Sequence, residues 1–188
     1  MRSPIFLMAV SALALVGCDR VIERSVDRAV GRVTSKYAAE PGQEWTMQVL
    51  GTGADRIYLV TGPGGRSAAA RLKGGVSTLI ENTEAKGFIS TNVEALAAAG
   101  PPPPQKVAIF APGLSLKVSG DDDDRSGRGR VQIKVAGVSV DVDGDDGPDG
   151  HGQVRIGGVD ADAALKFIDD IDDLSPEVKK QMCDKLGL

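Results

Sequence analysis

Two stretches of this chain repeat one another, and the repeat confines the fold to short antiparallel strands. Val107-Ala-Ile-Phe-Ala-Pro-Gly-Leu-Ser-Leu-Lys-Val118 aligns with Val131-Gln-Ile-Lys-Val-Ala-Gly-Val-Ser-Val-Asp-Val142, 24 positions later. Val107/Val131, Ile109/Ile133, Gly113/Gly137, Ser115/Ser139 and Val118/Val142 coincide. In each copy the apolar positions change parity at the glycine. A period-two pattern changes parity only through a bulge or a turn. Each copy is therefore expected to be two short strands linked at Ala111-Pro112-Gly113 or at Val135-Ala136-Gly137. Gln153-Val154-Arg155-Ile156 is a partial third copy, and the series predicts an antiparallel meander or a short β-solenoid.

Upstream of the repeats, Trp45–Leu50 and Arg56–Thr61 alternate as strands around Gly51-Thr52-Gly53-Ala54-Asp55. Arg66–Leu72 is expected to pair in a hairpin, although Ala68, Ala69 and Ala70 also suit a helix. Val76–Ile80 fits a strand or a short helix, and Val93–Ala99 one or two helical turns. Pro101–Pro104 predicts an extended spacer. Near the C-terminus, Asp160–Asp172 carries Ala164, Phe167, Ile168 and Ile171 on one side. Ser175 and Pro176 then cap and open a last helix with the apolar stripe Val178, Met182 and Leu186. The expected class is α+β, mainly β, with a tether helix before the body and two helices after it. In pattern alone, without any motif, the short repeated strands resemble adhesin-like domains of bacterial surfaces.

The N-terminal segment places the chain. Arg2 precedes an apolar stretch from Ile5 to Val16 that is too short to span a bilayer. Leu15-Val16-Gly17-Cys18 closes that stretch and resembles the lipobox of bacterial lipoproteins. The resemblance implies diacylglyceration of the Cys18 thiol, cleavage between Gly17 and Cys18, and acylation of the new amine with chains such as palmitate. It further implies a protein anchored to the bacterial cell membrane, facing the periplasm or the exterior. In enteric members of this family an aspartate after the cysteine favours the inner membrane, and Asp19 stands there.

Removal of residues 1–17 takes away Arg2, leaving 21 basic against 26 acidic side chains, a net of −5. Such a balance offers nucleic acid no basic patch. Cys183 becomes the one unmodified cysteine, so no intramolecular disulfide can form. The expected organisation is a signal peptide (1–17), a lipidated tether (18–41), a β-rich half (42–100), a proline spacer (101–105), a β-repeat half (106–159) and C-terminal helices (160–188). Within the tether, Ile22, Val26, Val30, Val33 and Tyr37 recur at three- and four-residue steps and form one helical seam. Arg20, Arg24, Arg28, Arg32 and Lys36 form a second stripe that fits either contact with anionic headgroups or a solvated charged face.

Residues that could carry chemistry are few. His151 is the single histidine, in Gly150-His151-Gly152, and is expected to be an exposed turn residue; zinc needs more nitrogen or sulfur ligands. No serine-hydrolase sequence appears. Gly51-Thr52-Gly53 and Gly62-Pro63-Gly64-Gly65 lack the Gly-Lys-Ser/Thr end of a phosphate loop and read as turns. The best ligand candidate is the acidic turn 141–149, in which Asp141, Asp143 and Asp145 could offer oxygens to calcium. Against the EF-hand spacing, Asp146 stands where the turn glycine belongs and Gly152 where the bidentate glutamate belongs. No other cofactor is expected beyond the lipid on Cys18. The leading expectation is a non-enzymatic structural or protein-interaction module with an envelope-protein or cell-wall partner. The alternative is a calcium- or ligand-binding module on the acidic turn.

Overall fold

The computed structural model describes residues 36–52, 55–98, 104–111, 114–120, 129–144 and 151–188. The signal and most of the tether, with Gly17, Cys18, Asp19, Arg20, Arg24, Arg28 and Arg32, lie outside these residues. So do Pro101–Pro103, the aspartates at 121–124, and Asp145.

Nine antiparallel strands form one open sheet. In chain order they are β1 (Trp45–Thr52), β2 (Asp55–Thr61), β3 (Ser67–Lys73), β4 (Val76–Ile80), β5 (Gln105–Ala111), β6 (Leu114–Gly120), β7 (Gly129–Val135), β8 (Val138–Gly144) and β9 (Gly152–Val159). Their order across the sheet is β4-β3-β2-β1-β9-β8-β7-β6-β5. Two meanders thus run outward from a central junction where β1 pairs with β9. A long helix, α1 (Asn82–Ala98), connects them. Two shorter ones, α2 (Ala161–Asp169) and α3 (Pro176–Leu186), end the chain. The mainly β meander is as expected, and the open sheet settles the choice against a solenoid.

The parity changes are hairpin turns. β7 and β8 pair from Val135↔Val138 outward to Gly129↔Gly144, and β5 and β6 from Ala111↔Leu114. Ala136 and Gly137 both have positive φ, 48° and 89°, as do Gly74 (56°) and Gly75 (79°) between β3 and β4. Positive φ at both central positions marks the two-residue turn whose twist matches that of the strands. Arg66–Leu72 and Val76–Ile80 are therefore strands, and Ala68, Ala69 and Ala70 are fully buried between layers on both faces. Here tertiary packing overrides the helix propensity of alanine.

Helices cover the inner half of the sheet. On one face α2 and α3 bury Ala164, Ile168, Val178, Met182 and Leu186 against Trp45, Met47, Tyr58, Val60, Ala68 and Ala70. On the other face α1 lays Ala85, Phe88 and Ile89 over Leu50, Ile57, Ala69 and Ile80. The Ser175–Pro176 cap is as expected, with Ser175 Oγ accepting from Val178 N at 3.3 Å and Pro176 opening α3; α2 is capped by Asp160, which accepts from Ala163 N at 2.8 Å. Helix α2 is shorter than the expected span, ending at Asp169. Helix α1 is far longer than the two turns expected near Val93, because its buried stripe runs through Asn92, whose polarity breaks the apolar period.

The junction of the meanders needs one particular glycine. Between Trp45↔Val159 and Thr46↔Gly157 the register slips, leaving Gly158 as the bulged residue at φ 78°. A β-carbon there would collide with the carbonyl of Gly137 in the neighbouring turn. Gly158→Ala is expected to lose about 2 kcal/mol or more, from left-handed strain plus that clash. Ala136→Asn, which suits the positive φ, is expected to gain about 1 kcal/mol. Thermal melts of the two variants check both signs.

Candidate interaction face

Because paired residues share a face, the register shows what each side of the outer half-sheet presents. One apolar row runs from Met47 through Ile156, Val140, Ile133 and Leu116 to Ile109. A parallel row runs from Val49 through Val154, Val142, Val131 and Val118 to Val107. Leu114, Val135 and Val138 add a third, shorter one. Met47 and Val138 belong to the core under α2 and α3, and Val49 and Ile156 pack against it, so these rows continue that core outward. The helices pack chiefly on β1 to β4, and among the described residues they reach the outer strands only at the Val138 end of β8. Ile109 is 37% exposed and Val142 36%. An aliphatic surface contiguous over several strands is a candidate contact site.

The opposite face of the same strands is polar. It carries Gln48, Arg155, Asp141, Gln132 and Lys117 in one row and Gln153, Asp143, Arg130 and Ser119 in the next. Arg130 grips Asp141 with two bonds, Nε to Oδ1 at 3.2 Å and Nη2 to Oδ2 at 2.8 Å. Gln132 Nε2 donates to Oδ2 at 3.0 Å. Partial burial raises the Asp141 carboxyl pKa, but the Arg130 and Gln132 hydrogen bonds and the nearby positive charges of Arg130 and Arg155 outweigh it, so the net shift is downward. Phe110, 68% exposed, stands at the β5 edge of this face with Lys117 Nζ 6.0 Å from its ring centre.

This geometry corrects the expected acidic turn. Asp141 and Asp143 stand in strand β8, two residues apart on its polar side, and Asp143 is buried opposite Arg130. Their alternation is the polar half of a strand pattern rather than the ligand spacing of a loop. Both oxygens of Asp141 are already accepting from Arg130 and Gln132. Among the described residues no group of three or more His, Cys, Asp or Glu side chains could hold a metal ion. His151 is half-buried just before β9 rather than exposed, since β9 begins one residue later.

Other charged groups act as staples. Arg71 holds Asp55 with two bonds of 2.9 and 2.8 Å, reaches Glu84 at 3.3 Å and lies over the Phe88 ring, tying β2 and β3 to α1. The Arg71 bond keeps the Asp55 carboxyl below its usual range. Asp173 accepts from Arg56 at 2.9 Å and from Tyr58 Oη at 3.1 Å, fastening the α2–α3 link to β2. Arg66 stacks on Trp45, donates to the carbonyl of Leu186 at 2.9 Å and holds the end of α3. Cys183 is half-buried beside α3's apolar stripe. Burial and the nearby Asp169 and Asp184 raise its thiol pKa above the ordinary value. Of the basic stripe only Lys36 is described, with its amine 5.4 Å from the Tyr37 ring centre.

Sequence reasoning passed over two features. Asn92 is 2% exposed on α1, with Nδ2 3.5 Å from the carbonyl of Gly152 and Oδ1 unpartnered among the described residues. It meets β9 on the polar face, and only its place in the stripe Ala85, Ile89, Asn92, Leu96 hints at burial. The apolar face itself was legible as alternation, but its lack of a covering layer was not.

The depressed pKa of Asp141 fixes a pH response. The folded carboxyl binds a proton less readily than the unfolded one, whose pKa is about 3.9. Its contribution is therefore complete above that value and fades as pH falls through the lower, folded one. Asp141→Asn is expected to cost about 1–2 kcal/mol at neutral pH and to flatten the fall of melting temperature between about pH 5 and 3. Melts across that range check it. Comparison with known proteins finds no match: no family model fits the chain, and neither a curated protein nor a solved structure is detectably similar to it.

Proposed function

We propose that this chain is a lipid-anchored bacterial envelope protein whose β-body is a non-enzymatic structural or protein-interaction module. One observation supports the second half of that reading: the aliphatic face of β5 to β8, which continues the core yet, beyond Val138, has little helix packed on it among the described residues. A face of four strands spaced about 4.8 Å apart and about 23 Å long is too large to leave in water without cost. On the opposite face Arg130 and Gln132 pair with Asp141. The apolar side is where an envelope protein, or an apolar element presented from the cell wall, would dock.

The first half rests on Leu15-Val16-Gly17-Cys18 and the apolar stretch before it. Acyl chains add about 0.8 kcal/mol per buried methylene, so two or more hold a protein firmly where one does not. No helix of the described residues is long and apolar enough to cross a membrane. Asp19 after the modified cysteine supports residence in the inner membrane.

Two outcomes test this reading. Cys18→Ser should move the protein from the membrane pellet to the soluble fraction; a serine variant that still pellets, uncleaved, contradicts the anchor. Leu116→Lys with Ile133→Lys should abolish partner crosslinking from membranes while Lys117→Ala, on the polar face, leaves it intact. Equal crosslinking by both contradicts the docking face.

A further inference from the structure

We infer that two copies of this chain join edge to edge through β5, each strand pairing antiparallel with its mate about Ile109. The inference goes beyond the docking-face reading, because the edge joins backbone to backbone whereas the face offers side chains. β5 ends the strand order and has no strand on its outer side among the described residues. Gln105, Lys106, Ala108, Ile109 and Phe110 are all exposed. A strand edge presents a row of backbone donors and acceptors, and proteins block it with charges, prolines, bulges or covering elements. At the other edge α3 packs against β4, and Ser175 N donates to Ser77 Oγ at 2.9 Å. On β5 such devices, Lys106 and the register shift between Gln105 and Val107, stand only at the start of the strand. From there Val107-Ala108-Ile109-Phe110-Ala111 runs without charge, proline or irregularity.

Which backbone groups face outward follows from the ladders. Val135↔Val138 flanks a two-residue turn, and the pair beside such a turn exchanges both its hydrogen bonds. Bonded and non-bonded pairs alternate along a ladder, and a residue bonded to the strand on one side is not bonded to the strand on the other. Lys134 therefore bonds Ser115 across β7 and β6, and Leu116 bonds Ile109 across β6 and β5. Val107, two residues from Ile109, likewise bonds toward β6. The amides and carbonyls of Ala108 and Phe110 are left pointing out of the sheet.

A second copy fits this edge in one register. The unobstructed segment 107–111 is centred on Ile109, so only pairing about Ile109 matches the whole of it with itself. Ala108 then meets the partner's Phe110, and Phe110 the partner's Ala108, with two backbone hydrogen bonds in each pair. Every facing pair is uncharged. On the apolar side Ile109 faces its own copy, and the row from Met47 to Ile109 continues into the second sheet. On the polar side the two Phe110 rings are diagonal neighbours, about 7–8 Å apart at the backbone and within reach of each other. Phe110 is the most exposed large apolar side chain among the described residues, at 68%. The two-fold axis uses up the edge of both copies, so association stops at two. An edge of this length, about 17 Å, belongs with small and reversible interfaces.

Oxidative crosslinking of the full chain tests the pairing, with Cys183→Ser as the parent. Ile109→Cys should give a disulfide-linked dimer several-fold above the parent. Val142→Cys, as exposed as Ile109 but three strands in from the edge, should stay at the parent's level. No dimer above the parent from Ile109→Cys overturns the inference. So does equal dimer from both, which would place the contact on the apolar face. Adding Ala108→Pro to Ile109→Cys removes an outward N–H but no bond to β6, and should cut the dimer several-fold. Should the proline chain fail to fold, Phe110→Lys serves instead, since it sets two like charges diagonally across the axis. A dimer yield that the folded variant leaves unchanged overturns the pairing. Sedimentation of the parent in detergent should show a monomer–dimer equilibrium that shifts with concentration; a monomer throughout, or growth beyond two, overturns it.

Discussion

The pairing of β1 with β9 is the constraint on which the architecture depends. Each meander is local, made of hairpins between neighbours in sequence, whereas this one pairing joins residues more than a hundred positions apart. It sets Met47 against Ile156 and Val49 against Val154, so the apolar parity of one meander continues into the other without interruption. A slip of one residue would send every aliphatic side chain of the outer strands to the polar face. The bulge at Gly158 absorbs the mismatch between Trp45 and Thr46 at the junction, and its missing side chain lets the turn at Gly137 close over it.

The two halves of the sheet are then covered unequally. The inner strands are sandwiched between α1 and the α2–α3 pair, and Ala68, Ala69 and Ala70 are small because layers press on them from both sides. The outer strands alternate valine, isoleucine and leucine with serine, lysine, arginine and aspartate, which is the composition of a sheet with one dry and one wet face. The wet face is tied together by the grip of Arg130 and Gln132 on Asp141. The dry face is a surface that gains by being covered, and it adjoins Ala38, near the start of the described residues.

Much of this was readable in the chain. The parity change at Gly113 and Gly137 required hairpins, and Ser175-Pro176 followed by Val178, Met182 and Leu186 required a capped amphipathic helix. What failed did so for identifiable reasons. Asn92, inside the buried stripe of α1 and following Gly87, Ser90 and Thr91, hid most of a 17-residue helix from any periodicity argument. Asp141 and Asp143 carried the spacing of cation ligands and the spacing of a strand's polar side at once. The strand won because Val138, Val140 and Val142 continue the aliphatic rows. The β1·β9 pairing left no local trace, since nothing near Trp45 announces Val159.

Amide hydrogen exchange, read residue by residue, tests the central claim most directly. If β1 and β9 fuse the meanders into one cooperative sheet, the amides of Met47, Val49, Ile57, Val154 and Ile156 will share a single slowest class and exchange only through global unfolding. Separate opening of residues 45–98 and 105–159, with unequal protection on the two sides of the junction, would contradict it.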